Sequence, residues 1–251
     1  MDRMLASDSE LEIKKFDVNM LPQPNDTTCG PTCLHAVYDF YNQPLPLDQV
    51  IREVQTLEHG GTLAVYLACH ALGRGYNATI YSYNLNMFDP TWFGLPPVQL
   101  ADKLQQQLKH KKQAKLKLAT HAYLDFLQQG GRLKFQDLSP SLIRKYLKRN
   151  IPVITGLSST YLYQSAREYG IKNDYDDLRG EPGGHFVVLC GYDKIKRTVM
   201  VADPLLPNPY APGNKYEVKL DRLICSILLG ILTYDAKLLI IEPKTSRDHP
   251  S

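Results

Sequence analysis

Apolar residues recur at helical spacing early in the chain and gather into short runs towards its end. Leu34, Val37 and Tyr41 stand at i, i+3 and i+7 with Ala36 and Phe40 beside them. They predict a helix over 29–42, closed by Asn42-Gln43-Pro44. Residues 47–58 read as a short amphipathic helix, and His59-Gly60-Gly61 breaks it. Thr62 then suits the N-cap of a further helix reaching Leu72 and ended by Gly73. A run rich in Tyr, Thr and Ile over 78–83 predicts a strand. Later, Ser139-Pro140 caps a helix over 141–149, and 151–157 reads as a buried strand. The runs 186–192 and 198–203, joined by 193–197, read as an antiparallel hairpin. A helix over 221–229 and a strand over 237–242 close the chain, while 159–182 and 204–216 read as loops. Helices come first and strands last, which predicts an α+β fold.

Residues 84–135 interrupt this order. Asp89-Pro90 and Pro96-Pro97 punctuate a loop holding Trp92, and 98–129 then reads as helix broken near 113–118. We expect a single domain over 1–251 with a helical insertion at 84–135. Lys103, Lys109, Lys111, Lys112, Lys115 and Lys117 give the insertion a basic run, expected to be a solvated helix face.

Composition narrows the class. With 251 residues, 43% apolar and 22% charged, the chain is ordinary for a globular domain with a sizeable core. A net charge of +3 is too small to argue for a nucleic-acid partner. No run approaches the roughly 18 apolar residues of a membrane span. The first 15 residues mix Asp, Glu and Lys without an apolar centre, unlike a secretory signal. Five cysteines form no disulfide framework, so free thiols and a cytoplasmic location are expected. Cys29 and Cys33 lack the second pair a zinc site needs, and the Asp174, Asp176, Asp177 and Glu181 run lacks the alternation of a calcium loop. Neither metal nor cofactor is expected. Cys33, Cys69, Cys190 and Cys225 read as small core residues.

Gln23, Cys29, His185 and Asp203 carry the candidate chemistry. Cys29 opens the first helix in Gln23-Pro-Asn-Asp-Thr-Thr-Cys29-Gly30-Pro31-Thr32-Cys33-Leu34. An ordinary thiol is only a few per cent ionised at neutral pH, and a nucleophilic cysteine needs a source of positive potential. A helix N-terminus offers unpaired N–H groups and a partial positive charge, and Pro31 suits a first turn in which its missing N–H costs nothing. His185, after Gly183-Gly184 at the head of a strand, is placed to act as base, and Asp203 to orient and charge-stabilise its ring. The other histidines lie within helices, turns, the insertion or the tail.

These blocks, together with Gly183-Gly184-His185-Phe-Val-Val-Leu-Cys-Gly-Tyr-Asp and Val-Ala-Asp203-Pro, resemble the bacteriocin-leader-processing, or double-glycine, cysteine peptidases of the papain-like superfamily. The resemblance covers about residues 20–83 and 136–242. Thr28 stands where many family members carry Asp. The resemblance implies a papain-like α+β fold in which an N-terminal helical half bearing the Cys helix packs on a C-terminal antiparallel sheet. It implies peptide-bond hydrolysis of a peptide or protein substrate by Cys29, His185 and Asp203. Gln23, six residues before Cys29, would share the developing oxyanion with the Cys29 backbone N–H. It also implies a preference for cleavage after Gly-Gly or other small residues. Two other activities suit the same residues: acyl transfer by a transpeptidase, amidase or deamidase, and peptide binding without turnover. Neither a membrane span nor a particular oligomeric state is implied.

Overall fold

The computed structural model describes residues 13–58, 60–170 and 173–244. In chain order the elements are β1 (Ile13–Lys15), α1 (Cys29–Phe40), α2 (Leu47–Glu53), α3 (Ala64–Gly73), β2 (Tyr76–Ser82), α4 (Pro97–Leu108) and α5 (Ala114–Gln128). They continue with β3 (Arg132–Lys134), α6 (Pro140–Leu147), β4 (Val153–Ser158), α7 (Ser159–Tyr163), β5 (Glu168–Tyr169) and β6 (Asp174–Tyr175). The last are β7 (Gly184–Asp193), β8 (Thr198–Ala202), β9 (Lys215–Lys219), α8 (Leu220–Leu229) and β10 (Lys237–Pro243).

One mixed sheet runs β3-β2-β10-β4-β7-β8-β9, with β1 paired to the far end of β7. Its pairs are antiparallel except that of β2 with β3. Side chains alternate between two apolar layers. Phe186 and Val188 on β7 and Leu239 and Ile241 on β10 join the layer built by α1, α3, α4 and α5. Val187, Leu189, Leu238 and Ile240 join the layer under α6 and α8. Cover on both faces explains why these strands read as continuous apolar runs rather than as alternating ones.

The pattern holds for the main elements, with shifts of a few residues at their ends. The second helix stops at Glu53 instead of continuing to Glu58. Thr62 does not cap α3; its hydroxyl donates to the Gln55 carbonyl at 2.7 Å, and Leu63 occupies the cap position. Cys225 is exposed rather than in the core. Leu220, Leu223 and Ile227 set the buried face of α8, and residue 225 falls off that face. The long helix after Pro97 divides into α4 and α5 around residues 109–113. β1, β3, α7 and β9 carry no local signal, being short elements recruited by pairing and packing with distant partners.

Segment 84–135 packs on the α1 side of the sheet. Leu104, Tyr123 and Phe126 are buried in the same apolar layer as Cys33, Leu34 and Val37, and the segment runs on into edge strand β3.

Candidate active site

Cys29 is the first residue of α1 and is largely buried. The helix start carries no side-chain cap: the Thr28 hydroxyl is turned back to the Asn25 carbonyl at 3.0 Å. The first-turn amides beside the sulfur therefore stay available to an anion. Gly30 lets this end of the helix sit close to its surroundings, since a Cβ there would fall 2.5 Å from the Thr62 methyl. One turn on, the Cys33 thiol is fully buried and donates to the Phe186 carbonyl at 3.2 Å, a packing role. Burial holds its pKa well above the usual thiol range, with the charges of Cys29 and Asp203 acting in the same direction.

His185 stands second on β7, opposite Leu157 of β4, and is 6% exposed. Its Nε2 donates to Asp203 Oδ1 at 2.8 Å, and Cys29 lies near enough for its charge to act on the ring. Nε2 is committed to the carboxylate, so Nδ1 is the nitrogen left for the thiol. Burial works against the imidazolium, but the charges of Asp203 and Cys29 and the hydrogen bond to Asp203 outweigh it. The His185 pKa is raised to about 10.

Asp203, just after β8, is wholly inaccessible and accepts four hydrogen bonds. Oδ1 takes the His185 ring and the Leu205 amide at 2.9 Å; Oδ2 takes the hydroxyls of Tyr163 at 2.7 Å and Tyr216 at 2.5 Å. Burial alone would raise this carboxyl, yet His185 and the donors hold it down at about 2. The two tyrosines stay protonated, their pKa values pushed up by burial and by the Asp203 charge.

Gln23 lies beside the same loop, its backbone N–H donating to the Pro204 carbonyl at 2.8 Å. Its side-chain amide donates to the Asn25 carbonyl at 3.0 Å, and its Oε1 is buried without a partner. All four residues singled out in the sequence thus meet at one place, from segments up to 180 positions apart.

Two cavities flank the Cys29–His185 pair. One of about 270 Å³ touches Cys29, Gly60, Gly61, Lys115, Gly184 and Asp235. The other, of about 250 Å³, touches Gln23, Asp26, Tyr163, Glu168, Gly184 and His185. Burial and the nearby Asp26 charge raise the Glu168 carboxyl above its ordinary range. Tyr163, Tyr216, Glu168, Lys115 and Asp235 escape the motif reading. Lys115 enters the sequence reading only within a basic run, and the roles of all five come from contacts across the fold. Among the described residues no His, Cys, Asp or Glu group is arranged to hold a metal. No described helix is long and apolar enough to cross a membrane.

A cysteine at a helix start, close to a strand-borne histidine that a buried carboxylate holds, is an arrangement suited to a nucleophilic thiol with its base and the group that orients the base. Residues 113–219 match the model of the Peptidase_C39 like family. The match takes in His185 and Asp203 and leaves Gln23 and Cys29 outside it. Among solved structures, the chain is similar to a double glycine motif protease from an AMS/PCAT transporter in complex with the leader peptide. Identity is 15% and the TM-score 0.44, covering 92% of this chain and 95% of that one. It is also similar to the peptidase domain of Streptococcus ComA, a bi-functional ABC transporter, with 13% identity, a TM-score of 0.43 and coverage of 91% and 100%. Xylellain, a cysteine protease from Xylella fastidiosa, shows 13% identity, a TM-score of 0.42 and coverage of 95% and 90%. A search of curated proteins gives no match to the chain.

Proposed function

We propose that this protein hydrolyses a peptide bond by a thiolate mechanism in which Cys29 is the nucleophile, His185 the acid and base, Asp203 the orienting carboxylate and Gln23 an oxyanion donor. The observation that carries the reading is the buried His185 ring, held by Asp203 on one nitrogen and within reach of the Cys29 charge. In the first step the Cys29 sulfur attacks the scissile carbonyl carbon, and the π pair moves onto oxygen. That oxyanion faces the first-turn amide of α1 and the second N–H of the Gln23 side chain; losing one such donor costs typically about 2.7–4 kcal/mol of transition-state stabilisation. The C–N bond breaks as the His185 imidazolium gives its proton to the leaving amine, leaving a thioester on Cys29. Water attacks the thioester, His185 takes its proton, and the carboxyl product departs with the thiolate restored.

The acyl part stays on sulfur while the amine takes its proton from the ring. The cavity with Cys29 is therefore the acyl side and the one with His185 the leaving side. Gly60, Gly61 and Gly184 line the acyl side without side chains, which favours a small residue, Gly above all, immediately before the cut. Asp26 and Glu168 on the leaving side support a second reading, acyl transfer to a cationic amine.

The test combines iodoacetamide mass mapping with a peptide library read by mass spectrometry. Alkylation centred on Cys29 and cleavage lost in Cys29→Ala are expected. Ligated products in place of hydrolysed ones would select the transfer reading, and preferred cleavage after large residues would remove the small-residue preference.

A further inference from the structure

Asp235 is a buried carboxylate that the proposed mechanism does not use. It is 7% exposed and sits between a 3-10 turn, Gly230–Thr233, and β10, its amide donating to the Gly230 carbonyl at 2.7 Å. Two glycines make room for it: a Cβ on Gly184 would fall 2.3 Å from its Oδ2, and one on Gly156 2.8 Å from its Cβ. Its side chain borders, with Thr233, the acyl-side cavity that also touches Cys29. Lys115 stands on the wall of the same cavity, tethered by a 3.1 Å bond to the Thr233 carbonyl and placed 4.9 Å from the centre of the Tyr234 ring. Lys237 is buried nearby but donates to the Tyr234 carbonyl, away from the cleft. Both lysines act on Asp235 through their charge without closing an ion pair.

The acyl side of the cleft thus carries a carboxyl, whose pKa burial raises and the charges of Lys237 and Lys115 pull back down, beside a positive nitrogen tethered by the protein. A cationic side chain would be drawn to Asp235 but repelled by two lysines. An acidic one would suit Lys115 and meet Asp235. An apolar one would desolvate both groups and satisfy neither. A neutral group with a donor and an acceptor engages both charges at once. We propose that Asp235 and Lys115 form a specificity subsite for a carboxamide side chain, Gln or Asn, at the second residue before the cut. Its amide N–H groups would donate to Asp235 and its carbonyl would accept from Lys115. The proposal rests on the peptidase reading of Cys29 and His185 for the direction in which substrate lies.

Peptidyl chloromethyl ketones ending in Gly, with Gln, Glu, Lys or Leu before it, report this subsite through their rates of attachment to Cys29, whether or not peptides turn over. The Gln probe is expected to react fastest, by on the order of tenfold or more over Leu, less than a fully enclosed polar site achieves. In Asp235→Asn the Glu-to-Gln rate ratio should rise about tenfold, since Lys115 then acts unopposed. In Lys115→Gln, at the cavity wall, the same ratio should fall. Leu equal to or faster than Gln in the wild type, ratios unmoved in both variants, or a Cys29 that no probe labels each overturns the subsite. Ordered labelling without turnover of the matching peptides would keep the subsite and remove the peptidase reading.

Discussion

Asp203 shows how a single side chain sets the state of the site. Its two oxygens each accept two hydrogen bonds, from groups on β7, α7, β9 and its own loop. Asparagine would fit: its oxygen could face His185 and the Leu205 amide, and its NH₂ the tyrosines, whose hydroxyls can turn to accept. It would lose the charge that holds up the His185 pKa. Asp203→Asn is therefore expected to reduce kcat/KM yet stay milder than His185→Ala, with the His185 titration midpoint by NMR falling from about 10. Equal losses in the two variants would place the importance of Asp203 outside the orientation and charging of the ring.

The pair also sets a pH window for stability. His185 is raised, so its contribution is complete below the ordinary imidazole value and is lost as pH rises from about 6.5 towards its folded value of about 10. Asp203 is depressed, so its contribution is complete above about 3.9 and lost as pH falls towards its folded value of about 2. Both describe one interaction, counted once. Urea unfolding of wild type and His185→Ala should show a stability difference that shrinks between pH 6.5 and 10. Tyr216→Phe removes a donor that holds Asp203 down, so the acid-unfolding midpoint should move to higher pH.

At the scale of the element, α1 carries two cysteines one turn apart with opposite duties. Cys29 lies at the uncapped start and faces the cleft, whereas Cys33 is sealed against β7 through the Phe186 carbonyl. Cys29→Ala should abolish turnover with little change in stability. Cys33→Ala should keep much of the activity, at a stability cost of about 1 kcal/mol for a small buried side chain and its weak hydrogen bond. Activity assays paired with thermal unfolding test the division, and full activity in Cys29→Ala would falsify the nucleophile assignment. This much was open to sequence reasoning, because a helix start and its apolar period are local properties. The cap was not: Thr62 has the right chemistry for one, but the helix starts at Ala64 and puts Leu63 at the cap position.

At the scale of the molecule, segment 84–135 reads as an insertion but lends Leu104, Tyr123 and Phe126 to the layer that also buries α1. Phe126→Ala is expected to cost about 3–5 kcal/mol, as for other buried aromatic residues. A loss below about 1 kcal/mol, the usual range for surface positions, would mark the segment as a detachable insertion. The segment also supplies Lys115 to the acyl-side cavity, so changes within it should alter substrate preference as well as stability.

Local spacing determined the helices around Leu34 and Leu223, the hairpin of β7 and β8, and the contexts of Gln23, Cys29, His185 and Asp203. Those patterns depend on the 3.6-residue and two-residue periods and on turn chemistry, which act within a dozen residues. Tertiary structure alone decided the parallel edge strand β3, the return of β1 to β7, the exposure of Cys225, and the neighbours of Asp203 and Asp235. Tyr163 reaches Asp203 across 40 positions, and Asp235 reaches the strand of His185 because glycines leave space for it. Such contacts depend on which surfaces the packed layers bring together, and no local period encodes them.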